Sequence, residues 1–379
     1  MTATLVRPTA PPSESAPDLR SPRGTSQIDG VRGIAILLVL IHHFFHLSHP
    51  VGNIGVRLFF GISGFLITGV LLNARKHIET GSSSLSRVVT TFYLRRALRL
   101  LPALYVVLAG AWVMNIRPAR ETILWHVGGA TNVLMVMLND FIGPLTHLWS
   151  LAAEAQFYVV WPLLMLLTPR RWLGGVIVAL IVIAPVFRVT AWLCGAPMMW
   201  YVVTPFALTD CVCMGALAAW LNQQGAHGTV RLLRKVGLVV GVAVVVVASC
   251  FYTTSSSLTK LLAFDCAMAL VALGMVTGAS TGFGGLFGAA LSFRPLALLG
   301  KASYGLYLLH NFVPLALNNY WPSLQATPTV KYTLMFTLSI AAAMLSWYFL
   351  EKPINDLKRH FPYRATTPPV QSARLTRSE

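Results

Sequence analysis

Four histidines lie within eight positions near the N-terminal end of the chain, in the stretch RGIAILLVLIHHFFHLSHP (32–50). Imidazoles at this density suggest a metal site, a proton path or a catalytic base. On a helix, His43 returns almost to the direction of Arg32, because eleven residues turn about 100° each. It also lies about 16 Å further along the helix axis. His42 points about 80° away from Arg32. The spacing therefore pairs only His43 with Arg32.

The other histidines have weaker interpretations. His42 and His46 are four residues apart and have the spacing to share a metal. No further Cys, His or carboxylate cluster at ligand spacing supports this, so we predict no metal site. We expect His46 and His49 to lie at the water–lipid interface on the outward-facing side of the membrane.

Three acidic residues lie inside apolar stretches, where a charge is costly and is a functional candidate by default. They are Glu154, Asp210 and Asp265. Each has a plainer alternative, a satisfied hydrogen bond between helices. We favour that alternative for the two aspartates and a functional role for Glu154.

A basic run in FYLRRALRLLPALY carries Arg95, Arg96 and Arg99. Guanidinium groups pair bidentately with phosphates, so the run is a candidate phosphate clamp. Anchoring on anionic lipid is the alternative. Ser63 lies between Gly61 and Gly64, which indicates either close helix packing or a passage for a ligand chain.

The elements that position these residues are membrane spans. The chain is 55% hydrophobic and only 11% charged, whereas roughly 25% charged is usual in soluble domains. Windows of about 19 residues give eleven apolar candidates: 33–48, 55–73, 98–115, 122–138, 148–167, 174–193, 203–221, 236–252, 261–280, 298–317 and 331–350.

Charge distribution reduces this count to ten. If 122–138 lies in an external loop or re-enters, 23 of the 29 Lys and Arg residues face the cytoplasm, as the positive-inside rule requires. We therefore predict an all-α bundle of about ten transmembrane helices, with both termini cytoplasmic. Residues 1–27 and 360–379 are expected to be disordered tails, and 28–359 the membrane domain. Because the basic residues lie in short loops, the net charge of +17 does not indicate a nucleic-acid partner.

Six motifs together resemble the bacterial membrane acyltransferase type 3 family. They are IDGVRGIAILLVLIHH, GVRLFFGISGFLIT, FYLRRALRLLPALY, HLWSLAAEAQFYVVWPLL, LGKASYGLYLLH and WYFLEKP, and they cover about residues 27–359 in the family's order. The family comprises O-acetyltransferases of lipopolysaccharide, exopolysaccharides, peptidoglycan and some macrolides. The resemblance implies a ten-helix enzyme that moves an acyl group, usually acetyl, from acyl-CoA to a hydroxyl.

The resemblance also implies roles for particular residues. The family's arginine-x10-histidine motif falls on Arg32 and His43, which with Glu154 are the expected catalytic residues. Its arginines that contact the CoA phosphates fall on Arg95, Arg96 and Arg99, and its serine-glycine element on Ser63 and Gly64. Supporting or substrate-binding residues are expected at Asp29, His147, Trp149, Ser150, Tyr158, Tyr304 and His310. The chain departs from the family pattern at Arg57 and Ala155, and Asp210 lacks the arginine that usually precedes it.

The resulting hypothesis is a bacterial cytoplasmic (inner) membrane enzyme with acetyl-CoA as donor and no permanently bound cofactor. His43 acts as general base or as acyl carrier, and Glu154 orients it. The expected acceptor is a sugar hydroxyl of a surface or lipid-linked polysaccharide. Alternatives are a macrolide-type acceptor, or a transporter or flippase of lipid-linked glycan that uses His43 and Glu154 as a proton relay.

Overall fold

The computed structural model describes residues 22–47, 51–251, 259–325 and 327–364. Throughout these ranges the regular structure is helical and no strand occurs. The predicted all-α class is therefore confirmed. His49 lies outside the described residues, as do 1–21 and 365–379 of the two predicted tails.

The described residues form eighteen α-helices, which we number in order. The first nine are α1 Pro22–Phe45, α2 Val51–Glu79, α3 Leu85–Val113, α4 Ile123–Val127, α5 Thr131–Leu138, α6 Leu148–Leu167, α7 Arg170–Leu193, α8 Met198–Val203 and α9 Thr209–Gln223. The others are α10 His227–Val236, α11 Val242–Cys250, α12 Asp265–Thr281, α13 Gly285–Leu291, α14 Arg294–Lys301, α15 Ser303–Leu309, α16 Phe312–Tyr320, α17 Pro328–Ser346 and α18 Lys352–Asp356.

Nine helical stretches in the described ranges are long and apolar enough to cross a membrane. A span needs about 20 residues at 1.5 Å of rise each. The nine stretches are Ser26–Phe45, Gly52–Glu79, Leu85–Val113, Leu148–Leu167, Arg170–Leu193, Pro205–Gln223, His227–Cys250, Leu262–Thr281 and Pro328–His360. The chain is thus a polytopic helical membrane protein.

Two of the apolar stretches read from the sequence are interrupted. The stretch 122–138 forms the short helices α4 and α5, in agreement with the prediction that it does not cross as one helix. The predicted span 298–317 is divided among α14, α15 and α16, each of nine residues or fewer. None of these pieces is long enough to cross alone. The predicted span 298–317 is therefore not a continuous helix.

The folded domain extends beyond the predicted boundaries at both ends. Helix α1 begins at Pro22, not at Ile28. The Gln27 amide donates to Phe283 O at 3.0 Å and accepts from Phe283 N at 2.7 Å, which ties the helix start to the chain before α13. Near the other end, Arg95 stacks over the ring of Tyr363. The described structure thus includes part of each stretch predicted as a tail, 22–27 and 360–364.

Helices α2 and α9 pack with their backbones in direct contact. A Cβ built on Gly64 would lie 1.9 Å from Val212 O, and one on Gly215 would lie 1.9 Å from Gly61 O. Only glycine fits at such approaches. The close-packing interpretation of Gly61 and Gly64 is therefore correct.

A buried charge network joins α2, α7, α9 and α12. Arg57 Nη2 lies 2.7 Å from Asp265 Oδ1, and Arg188 Nη2 lies 2.6 Å from Asp210 Oδ2. Arg57 Nη1 is also 4.0 Å from Asp210 Oδ1. Two cations balance two anions, as burial requires. The structural interpretation of both aspartates is confirmed, and Arg57 and Arg188 supply the partners that the sequence around Asp210 lacks.

Candidate active site

A polar cavity with an empty volume of about 740 Å³ lies among α1, α2, α3, α6 and α15. We call it the inner cavity. Apolar side chains of these helices form much of its wall. Its polar lining residues are Arg32, Ser63, Arg96, Arg99, Ser150, Glu154, Tyr158, Ser303, Tyr304 and Tyr307. Eight of these ten were predicted as site residues, on segments far apart in the chain.

Glu154 is the acceptor around which this cavity is organised. Its Oε1 accepts hydrogen bonds from the hydroxyls of Ser63 and Tyr158. Tyr158 lies one helical turn after Glu154 on α6, so the helix itself brings the two together. The guanidinium of Arg96 lies over the Tyr158 ring, 5.3 Å from its centroid. One carboxylate thereby fixes side chains from α2 and α6 and, through Tyr158, contacts α3.

Arg32 lies at the junction of the inner cavity with a second one. Its Nη2 donates to Ser303 Oγ at 2.9 Å, and its Nη1 lies 3.8 Å from Asp29 Oδ1. The second space, which we call the outer cavity, has an empty volume of about 840 Å³. It is lined by Asp29, Arg32, Arg99, Lys301, Tyr304, Trp347, Glu351, Lys352, Asn355 and Asp356. Both cavities share Arg32, Arg99 and Tyr304.

His43 lies in a separate cluster of imidazoles. Its ring centroid is 4.8 Å from that of His310, which in turn is 4.9 Å from that of His147. His43 Nδ1 is 2.9 Å from Val39 O. Since a carbonyl can only accept, Nδ1 carries the proton and Nε2 keeps its lone pair. The tautomer held by α1 is the one that leaves Nε2 available as a base or nucleophile.

Glu154 and His43 have different hydrogen-bond partners in the structure, so the orientation of His43 by Glu154 stays a prediction. Glu154 bonds to Ser63 and Tyr158, His43 bonds to Val39 O, and no hydrogen bond between the two is found in the described ranges. Helix spacing could pair residues along α1, but it could not show which neighbour each side chain meets.

A hydrogen-bonded chain separates the inner cavity from the imidazoles. Ser150 Oγ donates to Tyr307 OH at 2.7 Å, and Tyr307 OH donates to His147 O, also at 2.7 Å. Ser150 and Tyr307 line the inner cavity, whereas the ring of His147 contacts His310 on the other side. These hydroxyls form the wall between the cavity and the His43 cluster.

Three predicted site residues lie outside the two cavities and the imidazole cluster. Gly64 packs against Val212 as described above, so its place is in the helix contact. Trp149 packs against Phe60, with ring centroids 6.5 Å apart. Arg95 lines neither cavity and lies over Tyr363. The predicted arginine run is therefore divided, with Arg96 in the inner cavity and Arg99 in both cavities.

Sequence reasoning missed part of the outer cavity. Three residues of its lining had no predicted role, although they lie in the motifs LGKASYGLYLLH and WYFLEKP: Lys301, Trp347 and Lys352. For the two lysines, the feature in the sequence that could have indicated a role was a charge next to an apolar stretch. Arg188 was also missed, and its signal was an arginine at membrane depth in an apolar span.

No group of three or more His, Cys, Asp or Glu side chains suited to a metal occurs among the described residues. The rings of His42 and His310 meet the ring of His43 edge to face.

The fold and site define a class: a polytopic helical membrane protein whose helices enclose a polar cavity beside a cluster of imidazoles. Comparison with family models then gives a match to the acyltransferase domain over residues 25–348. The chain belongs to this acyltransferase family, which confirms the resemblance seen in its motifs.

Curated relatives share this domain at modest identity. The chain is 29% identical over 355 residues to the putative peptidoglycan O-acetyltransferase YrhL of Bacillus subtilis, covering 86% of this chain and 54% of the relative. It is 26% identical over 359 residues to the peptidoglycan O-acetyltransferase OatA of Listeria monocytogenes, covering 86% and 55%. For the O-acetyltransferase OatA of Staphylococcus aureus (strain MRSA252) the identity is 26%, covering 93% and 60%. The chain thus spans about half to three fifths of these relatives, and no solved structure matches it.

Proposed function

We propose that the protein is a membrane O-acetyltransferase that moves an acetyl group from cytosolic acyl-CoA to a hydroxyl of a cell-surface polysaccharide. The observation that carries the proposal is the arrangement along α1. Arg32 opens on two connected cavities, and His43, eleven residues on, presents an unprotonated Nε2 behind the Ser150–Tyr307 wall.

The acceptor that we favour is a peptidoglycan sugar. Two of the relatives named above are peptidoglycan O-acetyltransferases by name, and each of them matches over 86% of this chain. The same chemistry applies to a sugar hydroxyl of lipopolysaccharide or to a macrolide hydroxyl. No feature of the site described above favours those acceptors.

The proposed reaction balances without an external acid or base. His43 Nε2 takes the proton of the acceptor hydroxyl, and the oxygen attacks the thioester carbonyl. The C–S bond breaks, and the thiolate of CoA takes up one proton, so the products are the O-acetyl ester and free CoA. If His43 acts as acyl carrier instead, Nε2 attacks the thioester carbonyl and the C–S bond breaks to release the CoA thiolate. The acetyl group then passes from Nε2 to the acceptor oxygen, and the proton of that hydroxyl ends on the thiolate.

Glu154 has a different proposed role from the one expected. Because its carboxylate bonds to Ser63 and Tyr158, it acts on the donor side. Its charge also lies within electrostatic range of Arg32 and Arg99. We assign it the positioning of the groups that line the inner cavity, where the pantetheine arm would lie.

The Ser150–Tyr307 wall must open for transfer. Ser150 and Tyr307 line the inner cavity, which does not include His43, and the Tyr307 ring also contacts His147 and His310 of the imidazole cluster. Rotation of the Tyr307 side chain breaks two hydrogen bonds and connects the cavity with His43. This opening step couples arrival of the thioester to exposure of the base.

The test uses the full chain purified into lipid nanodiscs, with radiolabelled acetyl-CoA and a soluble peptidoglycan tetrasaccharide. We expect labelled ester from the wild type and at least a hundredfold less from His43→Asn. His46→Asn is the matched control, because His46 is exposed and has φ 48°, a conformation that asparagine tolerates. Full transfer by His43→Asn contradicts the role of His43. If the wild type transfers nothing but moves lipid-linked glycan across liposomes, the transporter alternative is correct.

A further inference from the structure

We propose that the outer cavity binds the nucleotide end of the donor, the 3′-phosphorylated adenosine diphosphate portion of CoA, with Lys301 and Lys352 on its phosphates and Trp347 beside the purine. This inference rests on the proposed acyl-CoA donor. It assigns binding to side chains outside the arginine run from which the phosphate clamp was predicted.

Free positive charge is the first reason. Lys301 and Lys352 are exposed, line the outer cavity, and form no ion pair within the described ranges. Arg99 lines the same cavity and forms no ion pair within the described ranges, with Glu351 and Glu154 in electrostatic range of its guanidinium. Arg32 is different, because it is paired with Asp29 at 3.8 Å. Three cations thus face one cavity with their charges available to phosphate oxygens.

A second group of cations borders the same cavity. Lys358 donates to Asn355 Oδ1, and Asn355 is itself a lining residue. Lys358 lies within electrostatic range of Arg95, Arg96 and Arg99. Like charges this close repel one another, so a polyanion bound among them relieves repulsion as well as gaining attraction. The prediction that Arg95 contributes to phosphate binding is compatible with this longer-range role.

The acidic lining residues reduce this field only in part. Asp29 lies beside Arg32, and Glu351 Oε1 accepts from Ser346 Oγ at 2.9 Å. Asp356 is the third carboxylate of the lining. A cavity with both signs of charge suits a ligand that has phosphates and also a base with amino and ring-nitrogen groups.

An aromatic ring is the second independent observation. Trp347 begins a π-helical turn, Trp347–Glu351, between α17 and α18, and lines the outer cavity with Lys352. Such single π turns inside helices occur frequently at functional sites. A purine presents a flat face that stacks on indole, and nearby arginine adds a further contact.

The third observation is that the outer cavity and the inner cavity share lining residues. Arg32, Arg99 and Tyr304 line both spaces, so a ligand that lies across them passes from one into the other. With the nucleotide in the outer cavity, the narrow pantetheine arm enters between these three side chains. Its thioester then lies on the side of Ser63, Glu154 and the Ser150–Tyr307 wall.

The test compares donors that differ only in the nucleotide end. Binding to the nanodisc-embedded chain is measured by titration calorimetry with CoA, 3′-dephospho-CoA and 4′-phosphopantetheine. Acetyl transfer to the peptidoglycan tetrasaccharide is measured with acetyl-CoA and with acetyl-pantetheine. The variant is Lys301→Gln/Lys352→Gln, and Lys76→Gln on α2 is the matched control, because Lys76 is exposed and lines neither cavity.

We expect the double variant to bind CoA at least tenfold more weakly and to bind phosphopantetheine as the wild type does. Its KM for acetyl-CoA should rise by a similar factor, with kcat unchanged and transfer from acetyl-pantetheine unaffected. Trp347→Leu should weaken the binding of CoA and of 3′-dephospho-CoA by the same factor. The proposal is overturned if the double variant binds CoA normally, or if wild type binds CoA and phosphopantetheine equally well. If wild type binds neither and transfers from neither donor, the acyl-CoA function itself has failed.

Discussion

The ring of His310 lies edge to face against the ring of His43, with centroids 4.8 Å apart, while Arg32 at the other end of α1 bonds to Ser303. Both candidate catalytic residues of α1 therefore contact the segment formed by α15 and the residue that follows it. His310 donates from Nδ1 to Tyr307 O at 2.7 Å, which fixes its ring. The position of the base thus depends on a second histidine.

His310 should act as a positioning residue. Removing the ring in His310→Ala frees the His43 side chain, and small misplacements of a catalytic group cost up to about a hundredfold in rate. We expect kcat to fall ten- to a hundredfold with KM for acetyl-CoA unchanged. His310→Phe keeps a ring of similar shape and should recover most of the loss. A rise in KM for acetyl-CoA with unchanged kcat contradicts this role.

Glu154 should affect the donor and not the base. In Glu154→Gln the hydrogen-bonding shape is retained but the charge near Arg32 and Arg99 is lost. Since the loss of a negative charge strengthens the attraction of these arginines for phosphate, we expect tighter CoA binding and an unchanged pH midpoint for kcat, measured by calorimetry and by a pH–rate profile. Ser63→Ala is the matched control, because it removes one donor to the carboxylate without changing charge. A shifted pH midpoint for kcat in Glu154→Gln would instead support the prediction made from the sequence, that Glu154 orients His43.

Two glycines of α2 should respond oppositely to the same substitution. A Cβ at Gly64 would meet Val212 O at 1.9 Å, whereas a Cβ at Gly69 has no neighbour within 4 Å. Gly64→Ala should separate α2 from α9 and lower the thermal midpoint in detergent. Gly69→Ala should be neutral or stabilise by up to about 1 kcal/mol, since alanine favours the helix. Equal midpoints for the two variants contradict the proposed backbone contact.

The buried network should tolerate removal of a pair better than removal of one charge. Arg188→Met leaves Asp210 with the 4.0 Å contact to Arg57 as its one ion pair within the described ranges, beside the hydrogen bond from Cys211 N, and breaking a buried pair typically costs about 3–5 kcal/mol. Arg188→Met/Asp210→Leu keeps the charge balanced and should be more stable than the single variant. Size-exclusion chromatography after heating measures both. A double variant less stable than Arg188→Met is the contrary result.

The α4–α5 segment should loosen at acidic pH. His126 is buried between Thr122 and Thr131, with ring nitrogens 3.1 and 2.9 Å from their hydroxyls, and burial lowers its pKa to about 4. An unfolded histidine titrates near 6.5. Because the folded pKa is lower, the stability contribution is present above about pH 6.5 and is lost as the pH falls toward 4.

Hydrogen exchange provides the measurement for this segment. Protection of residues 123–138 should decrease between pH 7 and pH 5 after correction for the intrinsic exchange rate. His126→Gln should remove most of this pH dependence. Protection that is equally pH-dependent in both proteins assigns the effect to another group.

The sequence by itself determined the helical class and the membrane setting, and it singled out eight of the ten polar residues that line the inner cavity. Apolar runs of about 20 residues admit few structures in a bilayer, because every backbone group must bond within its own segment. Intramembrane charges such as Glu154 and Asp210 were conspicuous for the same reason. The face shared by Arg32 and His43 followed from helix geometry within one segment.

Only the tertiary structure decided which side chains meet. Glu154 bonds to Ser63 and Tyr158 and not to His43, and Arg57 and Arg188 supply the partners of Asp210 and Asp265. The outer cavity joins residues from α1, α3, α14 and the Trp347–Asp356 segment. Helical periodicity fixes directions along one helix, but it contains no information about the rotation and neighbours of another. Those are set by packing, for example by the glycines that let α2 and α9 touch.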